Sequence, residues 1–186
     1  DLLGVGALNF IPPPTYAGHS FDYRLGIDYH FTDHLMVYAN MSTGYKGGGV
    51  NPRPYTAAQA VPFNPERVHA YEIGLKSDFA DNMVRLNMAA FLNKYNNIIL
   101  VDGNGYPGNP GDPGWFPLSA VPFNAGKADI KGLEFETTIE PVQGLTFQGS
   151  LSYLDFKFTE IDPNAAASGI TLNTVPPMSP KWKWSG

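Results

Sequence analysis

Three times along this chain, two stretches of alternating apolar and polar residues meet at a connection of only a few residues. Phe21 to Phe31 meets Leu35 to Lys46 across Thr32-Asp33-His34. Arg67 to Phe79 meets Met83 to Val101 across Ala80-Asp81-Asn82, and Lys127 to Glu140 meets Leu145 to Thr159 across Pro141 to Gly144. The long stretches between the pairs hold most of the 20 glycines and 17 prolines. A period of two is the signature of a strand, because successive side chains point to opposite faces. Tight turns on one side and long loops on the other predict an antiparallel up-and-down meander.

The faces separate cleanly. Phe21, Tyr23, Leu25, Ile27, Tyr29 and Phe31 share one side of the first strand; Asp22, Arg24, Gly26, Asp28 and His30 share the other. In the third strand Tyr71, Ile73, Leu75 and Phe79 oppose Glu72, Gly74, Lys76 and Asp78, and in the fourth Leu86 and Met88 oppose Arg85 and Asn87. The fifth sets Leu133 and Phe135 against Glu134 and Glu136.

A soluble β-sandwich shows the same alternation, but its strands are typically ~5–6 residues long. Here the predicted strands run from about 11 to about 19 residues. Aromatic residues also gather near strand ends. Tyr29, Phe31 and Phe79 stand beside short turns, and Trp182 and Trp184 follow a long loop; this is how interfacial girdles are built. The expected fold class is therefore all-β: six to seven long strands of an antiparallel transmembrane barrel. Two free edges are intolerable in lipid, where every backbone group needs a partner, so the chain is expected to be one segment of a larger barrel domain spanning residues 1–186.

Bulk properties agree with that expectation. No run of about 18 apolar residues is present for a spanning helix. A mean hydropathy of −0.19 suits strands whose lipid-facing and lumen-facing residues alternate. The net charge of −5, without a basic run, argues against nucleic acid as a partner. With no cysteine, disulfides and thiolate metal sites are excluded. His19, His30, His34 and His69 form no recognisable ligand cluster. Glu134 and Glu136, about 7 Å apart on one face, have a spacing a glycosidase can use, but alternating acids are ordinary on a hydrated wall. No catalytic residue, metal or cofactor is expected.

Several stretches resemble TonB-dependent outer-membrane receptors. Tyr38 to Asn51, YANMSTGYKGGGVN, resembles the family's Y-x-x-x-S-x-G-[FY]-K-x-G-G-x-N passage from strand to loop. Asn64 to Ile98 resembles its P-E-x-x-x-x-Y-E-x-G-x-K-[ST] strand, short turn and R-x-N-x-A-x-F strand. Asn124 to Asp155 is similar to N-x-G-x-x-x-x-x-G-x-E-x-E followed by a Gly-Leu turn, and Pro180 to Trp184 to the strand start that follows. The ordered set is specific where any single match is weak.

The resemblance implies a C-terminal part of a 22-stranded plugged barrel in the bacterial outer membrane. It implies no enzyme, but uptake of a scarce nutrient such as a ferric siderophore, driven by a TonB-type coupling protein. The plug domain and the coupling box are expected in sequence outside this chain. Other implied partners are outer-membrane lipid and lipopolysaccharide. Glu72, Arg85, Glu134 and Glu136 would face the lumen and the plug. Gly47-Gly48-Gly49 is expected to leave its strand through positive φ values, and Glu66 after Pro65 to mark re-entry. Tyr55, Phe63, Tyr106, Trp115 and Phe116 are the loop candidates for ligand contact, with mutual packing of the loops as the other reading. A passive porin-like channel is the alternative function.

The face assignment has a direct check. Leu86→Arg places a charge on the predicted lipid side, where it costs roughly 2–4 kcal/mol at mid-membrane, and is expected to abolish membrane assembly; Gln148→Arg, on the opposite face, is expected to assemble normally. Heat-modifiable mobility of the two variants on gels reads the outcome, and equal behaviour would overturn the assignment.

Overall fold

The computed structural model describes residues 15–51, 62–102 and 121–186. Its elements, in chain order, are β1 (Arg24–Thr32), β2 (Leu35–Lys46), β3 (Glu66–Phe79), β4 (Val84–Asn96), β5 (Ile99–Asp102), β6 (Val121–Asn124), β7 (Gly126–Val142), β8 (Leu145–Ile161), α1 (Pro163–Ala167) and β9 (Trp182–Ser185). Seven strands form one sheet in the order β1-β2-β3-β4-β7-β8-β9, and every neighbouring pair is antiparallel. β5 and β6 pair with each other in a separate ribbon.

Register carries the alternation across the whole sheet. Ile27, Ala39, Ile73, Ala90, Leu133, Tyr153 and Trp182 form one continuous row, and Tyr29, Val37, Leu75, Met88, Phe135, Leu151 and Trp184 the next. The intervening rows belong to the other face and are largely polar, for example Asp28, Tyr38, Gly74, Ala89, Glu134, Ser152 and Lys183. The apolar face is the open one: Ile27 is 71 % exposed, Ile73 61 % and Trp184 79 %. On β3, Glu72 is half-buried and Gly74 buried between exposed Tyr71 and Ile73. An apolar face of this extent is stable against hydrocarbon and not against water.

The hairpin tips are staggered. Leu35 pairs with Ser77, which sets the first tip level with residues 78–79, whereas the second tip centres on 81–82. Val84 pairs with Ile139, so the second tip lies level with about residue 141, and the third sits at 143–144. Each tip is thus advanced by about two to three residues. At ~3.3 Å per residue and ~4.8 Å between strands, tips that share one plane require strands tilted roughly 40° from the barrel axis, within the range of closed barrels.

Locally, the second tip is made by three successive left-handed residues, Ala80, Asp81 and Asn82, with φ of 55°, 54° and 66°. Gly74 lies directly beneath the ring of Tyr38 from the neighbouring strand, where a Cβ would strike the ring. The expectation for Gly47-Gly48-Gly49 is corrected, because none of the three has positive φ. Gly48 is needed for close approach: the Phe63 carbonyl, the Tyr16 ring and the Pro65 nitrogen crowd the space a Cβ would take. Gly49 pairs with Phe63 through two backbone hydrogen bonds, at 3.1 and 2.9 Å.

Two strand boundaries also differ from expectation. β1 begins at Arg24 and not Phe21, although the Tyr23 carbonyl still accepts from the Thr43 N–H at 2.9 Å. The strand expected from Met83 to Val101 breaks at Asn97, whose φ of 54° ends β4 and turns β5 away from the sheet. Asn tolerates this region better than most residues, and the break carries Ile98 into a buried cluster.

That cluster lies at the long-loop end, not within the sheet. Ile98, Ala125, Ala128, Phe158 and Ala165 are buried together, with Tyr95 and Phe156 packed against them. Phe156 and Phe158 meet edge to face at 5.0 Å. Polar contacts tie the loop bases to one another. The Asn124 amide donates to the carbonyls of Asn64 (2.9 Å) and Asn97 (3.0 Å), and its oxygen accepts from the Asn64 N–H at 2.7 Å. The Glu66 carboxylate accepts from the Ile99 N–H at 2.6 Å, and the Asp162 N–H donates to the Ala125 carbonyl at 3.0 Å. The three long connections therefore share a single footing. Asn124→Ala removes three hydrogen bonds at once; it is expected to cost the footing about 1–3 kcal/mol and to speed hydrogen exchange at Asn64 and Ile99, with β3 and β4 unchanged. Unaltered exchange at those amides would argue against a shared base.

Candidate functional site

The polar face is organised around a recess of about 400 Å³, lined by Arg24, Asn40, Ser42, Glu72, Asn93 and Glu134, with Phe91 as its apolar wall. Pairing places these residues side by side. Gly26, Asn40, Glu72, Phe91 and Gly132 form one row, while Arg24, Ser42, Ala70 and Asn93 form the row toward the loops. Gly132 leaves room for the Phe91 ring, as Gly74 does for Tyr38. Lys76 sets its ammonium 5.8 Å from the Tyr38 ring centre, a cation–π distance. The wall so formed offers two carboxylates, one guanidinium and several amide and hydroxyl groups. It suits hydrogen-bonded docking of a polar surface and holds no nucleophile with a base beside it. Among the described residues no group of three His, Asp or Glu side chains is placed to hold a metal.

All four residues expected on the lumen side lie on this face. Glu72 and Glu134 line the recess together. Glu136 is two positions further toward the tips, in a second polar recess with Thr138, Gln148, Ser150 and Ser185. Arg85 stands apart beside the second tip and donates from Nε to Asp78 at 2.7 Å. That ion pair is largely exposed and contributes little on its own.

The expected girdle residues sit on the apolar face. Tyr29 and Phe31 meet edge to face at 4.9 Å, and Phe79 ends the outward column of β3 at its tip. Trp182 packs on Tyr153 at 4.8 Å. Tyr29 and Trp184 share one register row, but across six tilted strand spacings that row climbs roughly 18 Å along the barrel axis, so they stand at different heights.

Of the loop candidates, Phe63 is paired with Gly49 at the base of its loop, its ring against the glycine. Tyr55, Tyr106, Trp115 and Phe116 lie outside the described residues. At the loop end of the sheet the Tyr45 hydroxyl hydrogen-bonds that of Tyr16 at 2.6 Å, which raises its pKa. Sequence reasoning put Arg24, Asn40, Ser42 and Asn93 on the polar side without grouping them; alternation assigns a face, and register decides which residues on it meet. Asn64, Asn97 and Asn124 carried no signal, since a bond between residues sixty apart follows no local period.

The family described as TonB dependent receptor-like, beta-barrel matches residues 3–185. The metal-pseudopaline receptor CntO of Pseudomonas aeruginosa is 29 % identical over 150 residues, 81 % of this chain and 18 % of that protein. The pesticin receptor of Yersinia enterocolitica is 34 % identical over 113 residues, 61 % of this chain and 15 % of that protein. The crystal structure of the ferric yersiniabactin uptake receptor FyuA from Yersinia pestis superposes with a TM-score of 0.56 at 26 % identity, covering 73 % of this chain and 18 % of FyuA. This chain thus spans less than a fifth of the length of the relatives it matches. With a family match running almost end to end over a staggered, antiparallel, outwardly apolar sheet, the chain belongs to the TonB-dependent receptor β-barrel family, whose members are receptors and transporters of the outer membrane and not enzymes.

Proposed function

We propose that this chain is part of the barrel wall of an outer-membrane receptor that takes up a scarce nutrient, such as a ferric siderophore, by TonB-coupled active transport. The observation that carries the reading is the inverted polarity of the sheet: an open apolar face across seven strands, backed by an enclosed polar wall. Hydrocarbon on one side and a hydrated lumen on the other satisfy both faces at once. In this reading Glu72, Glu134 and Glu136 hydrogen-bond a plug within the lumen, and Arg85 steadies the rim near the periplasm. Tyr29, Phe31, Phe79, Trp182 and Trp184 anchor the barrel at the two interfaces. The long connections, with Tyr55, Phe63, Tyr106, Trp115 and Phe116, form the extracellular vestibule that captures cargo. The siderophore and metal receptors among its relatives favour cargo of that class.

No covalent step is required. Cargo held by the loops leaves through the lumen once energy from the inner membrane displaces the plug. Uptake of ⁵⁵Fe-loaded siderophores by cells whose only outer-membrane receptor is the full-length protein tests this. At least one siderophore is expected to accumulate, and deletion of the coupling protein is expected to bring uptake to background. Accumulation that persists without the coupling protein would identify a passive channel instead, and absence of uptake across hydroxamate, catecholate and carboxylate siderophores would overturn the cargo class.

A further inference from the structure

The outward face is not uniform along its length. On β3 it reads Arg67, His69, Tyr71, Ile73 from the loop end downward; on β4 it reads Asn96, Lys94, Leu92, Ala90. Register sets these level with one another, pairing Arg67 with Asn96, His69 with Lys94, Tyr71 with Leu92 and Ile73 with Ala90. A cationic head thus stands directly above an apolar stem on two adjacent strands. The stem is indented, because Ala39 and Ala90 are small where their row neighbours Ile27, Ile73 and Leu133 are large. The result is an apolar depression of about 700 Å³ between Leu25, Met41, Tyr71 and Leu92.

The head is built to stay positive. Arg67 is held in place by its contact with the Tyr45 ring, 5.3 Å to the centroid, and by donating to the Ser20 hydroxyl at 3.2 Å. Lys94 is exposed and makes no ion pair among the described residues. The next strand places Asp129 beside Lys94, but Lys157 flanks the same carboxylate from β8. Lys131 and Asp155, one row lower, neutralise each other at 3.5 Å. Cations therefore prevail on this outward band, although the chain as a whole carries −5.

We propose that this column is a seat for a phosphate-bearing membrane lipid, with its phosphate between Arg67, His69 and Lys94 and an acyl chain lying in the depression at Ala39 and Ala90. From His69 to Ile73 the strand covers roughly 13 Å, enough to pass from the headgroup level into the upper acyl region. Basic groups next to an apolar surface attract anionic lipid by about fivefold in affinity per Lys or Arg. The proposal rests on the reading of the apolar face as lipid-facing and is independent of cargo and of energy coupling, so failure of either uptake experiment leaves it standing.

The full-length receptor, delipidated in a non-ionic detergent, is titrated with bisphosphorylated lipid A and followed by thermal unfolding and native mass spectrometry. Wild type is expected to bind it and to gain several degrees in Tm, while dephosphorylated lipid A, phosphatidylcholine and inorganic phosphate produce no such gain. Lys94→Gln is expected to weaken binding about fivefold with an unchanged lipid-free Tm, and Lys94→Arg to restore it. Ala90→Leu, which fills the depression, is expected to weaken binding with the cations intact. An equal Tm gain from phosphatidylcholine or inorganic phosphate would overturn the proposal, as would lipid A binding unaffected by both Lys94→Gln and Ala90→Leu.

Discussion

The hydrogen-bonded ladder of the sheet is what every other feature depends on. A backbone N–H or C=O without a partner in hydrocarbon costs several kcal/mol, and each strand of the seven-stranded sheet is paired with its neighbour over its spanning length. Once backbone polarity is satisfied within the sheet, side chains are free to divide by face. Apolar rows open outward and polar rows turn to the enclosed side, with no buried core between two sheets. The usual driving force of folding is therefore displaced to the loop end, where Phe158, Ala128 and Ala125 form the compact cluster that a soluble domain would keep at its centre.

The same ladder explains how the functional surface is held. A tilt of roughly 40° fixes which residues of neighbouring strands share a level, and that register gathers Arg24, Glu72, Asn93 and Glu134 from four different strands into one recess. Glycine contributes through absence: Gly74 and Gly132 let Tyr38 and Phe91 lie flat on the wall, so the polar face carries aromatic surface as well as charge. Above the sheet, Asn124 and Glu66 join loop bases that are far apart in sequence. A scaffold with rigid strands and a common loop base can vary its loops without disturbing its barrel.

Much of this is legible residue by residue. Alternation identified the strands, their two faces and all three tips, because a period of two is local and hydrophobic patterning in a barrel repeats it on every strand. Pro65 before Glu66 marked the re-entry of β3 correctly. The reading went astray where local pattern and tertiary demand diverge. Asn96-Asn97-Ile98 reads as a continuing strand, yet the chain turns there because Ile98 gains a buried site and the Ile99 N–H gains the Glu66 carboxylate. Gly47-Gly48-Gly49 reads as a positive-φ exit, yet the glycines are required by the crowding of Phe63 and Tyr16.

What the amino-acid order determined alone was the set of strands, which side of each is apolar, and which connections are short, since these follow from side-chain alternation and turn chemistry within about ten residues. What only the folded chain decided was which of those side chains meet: the recess, the joined loop bases and the cationic column over its apolar stem. Those depend on register between strands and on contacts such as Asn64 with Asn124, sixty residues apart, and no short-range pattern specifies the partner of a hydrogen bond made across so long a loop.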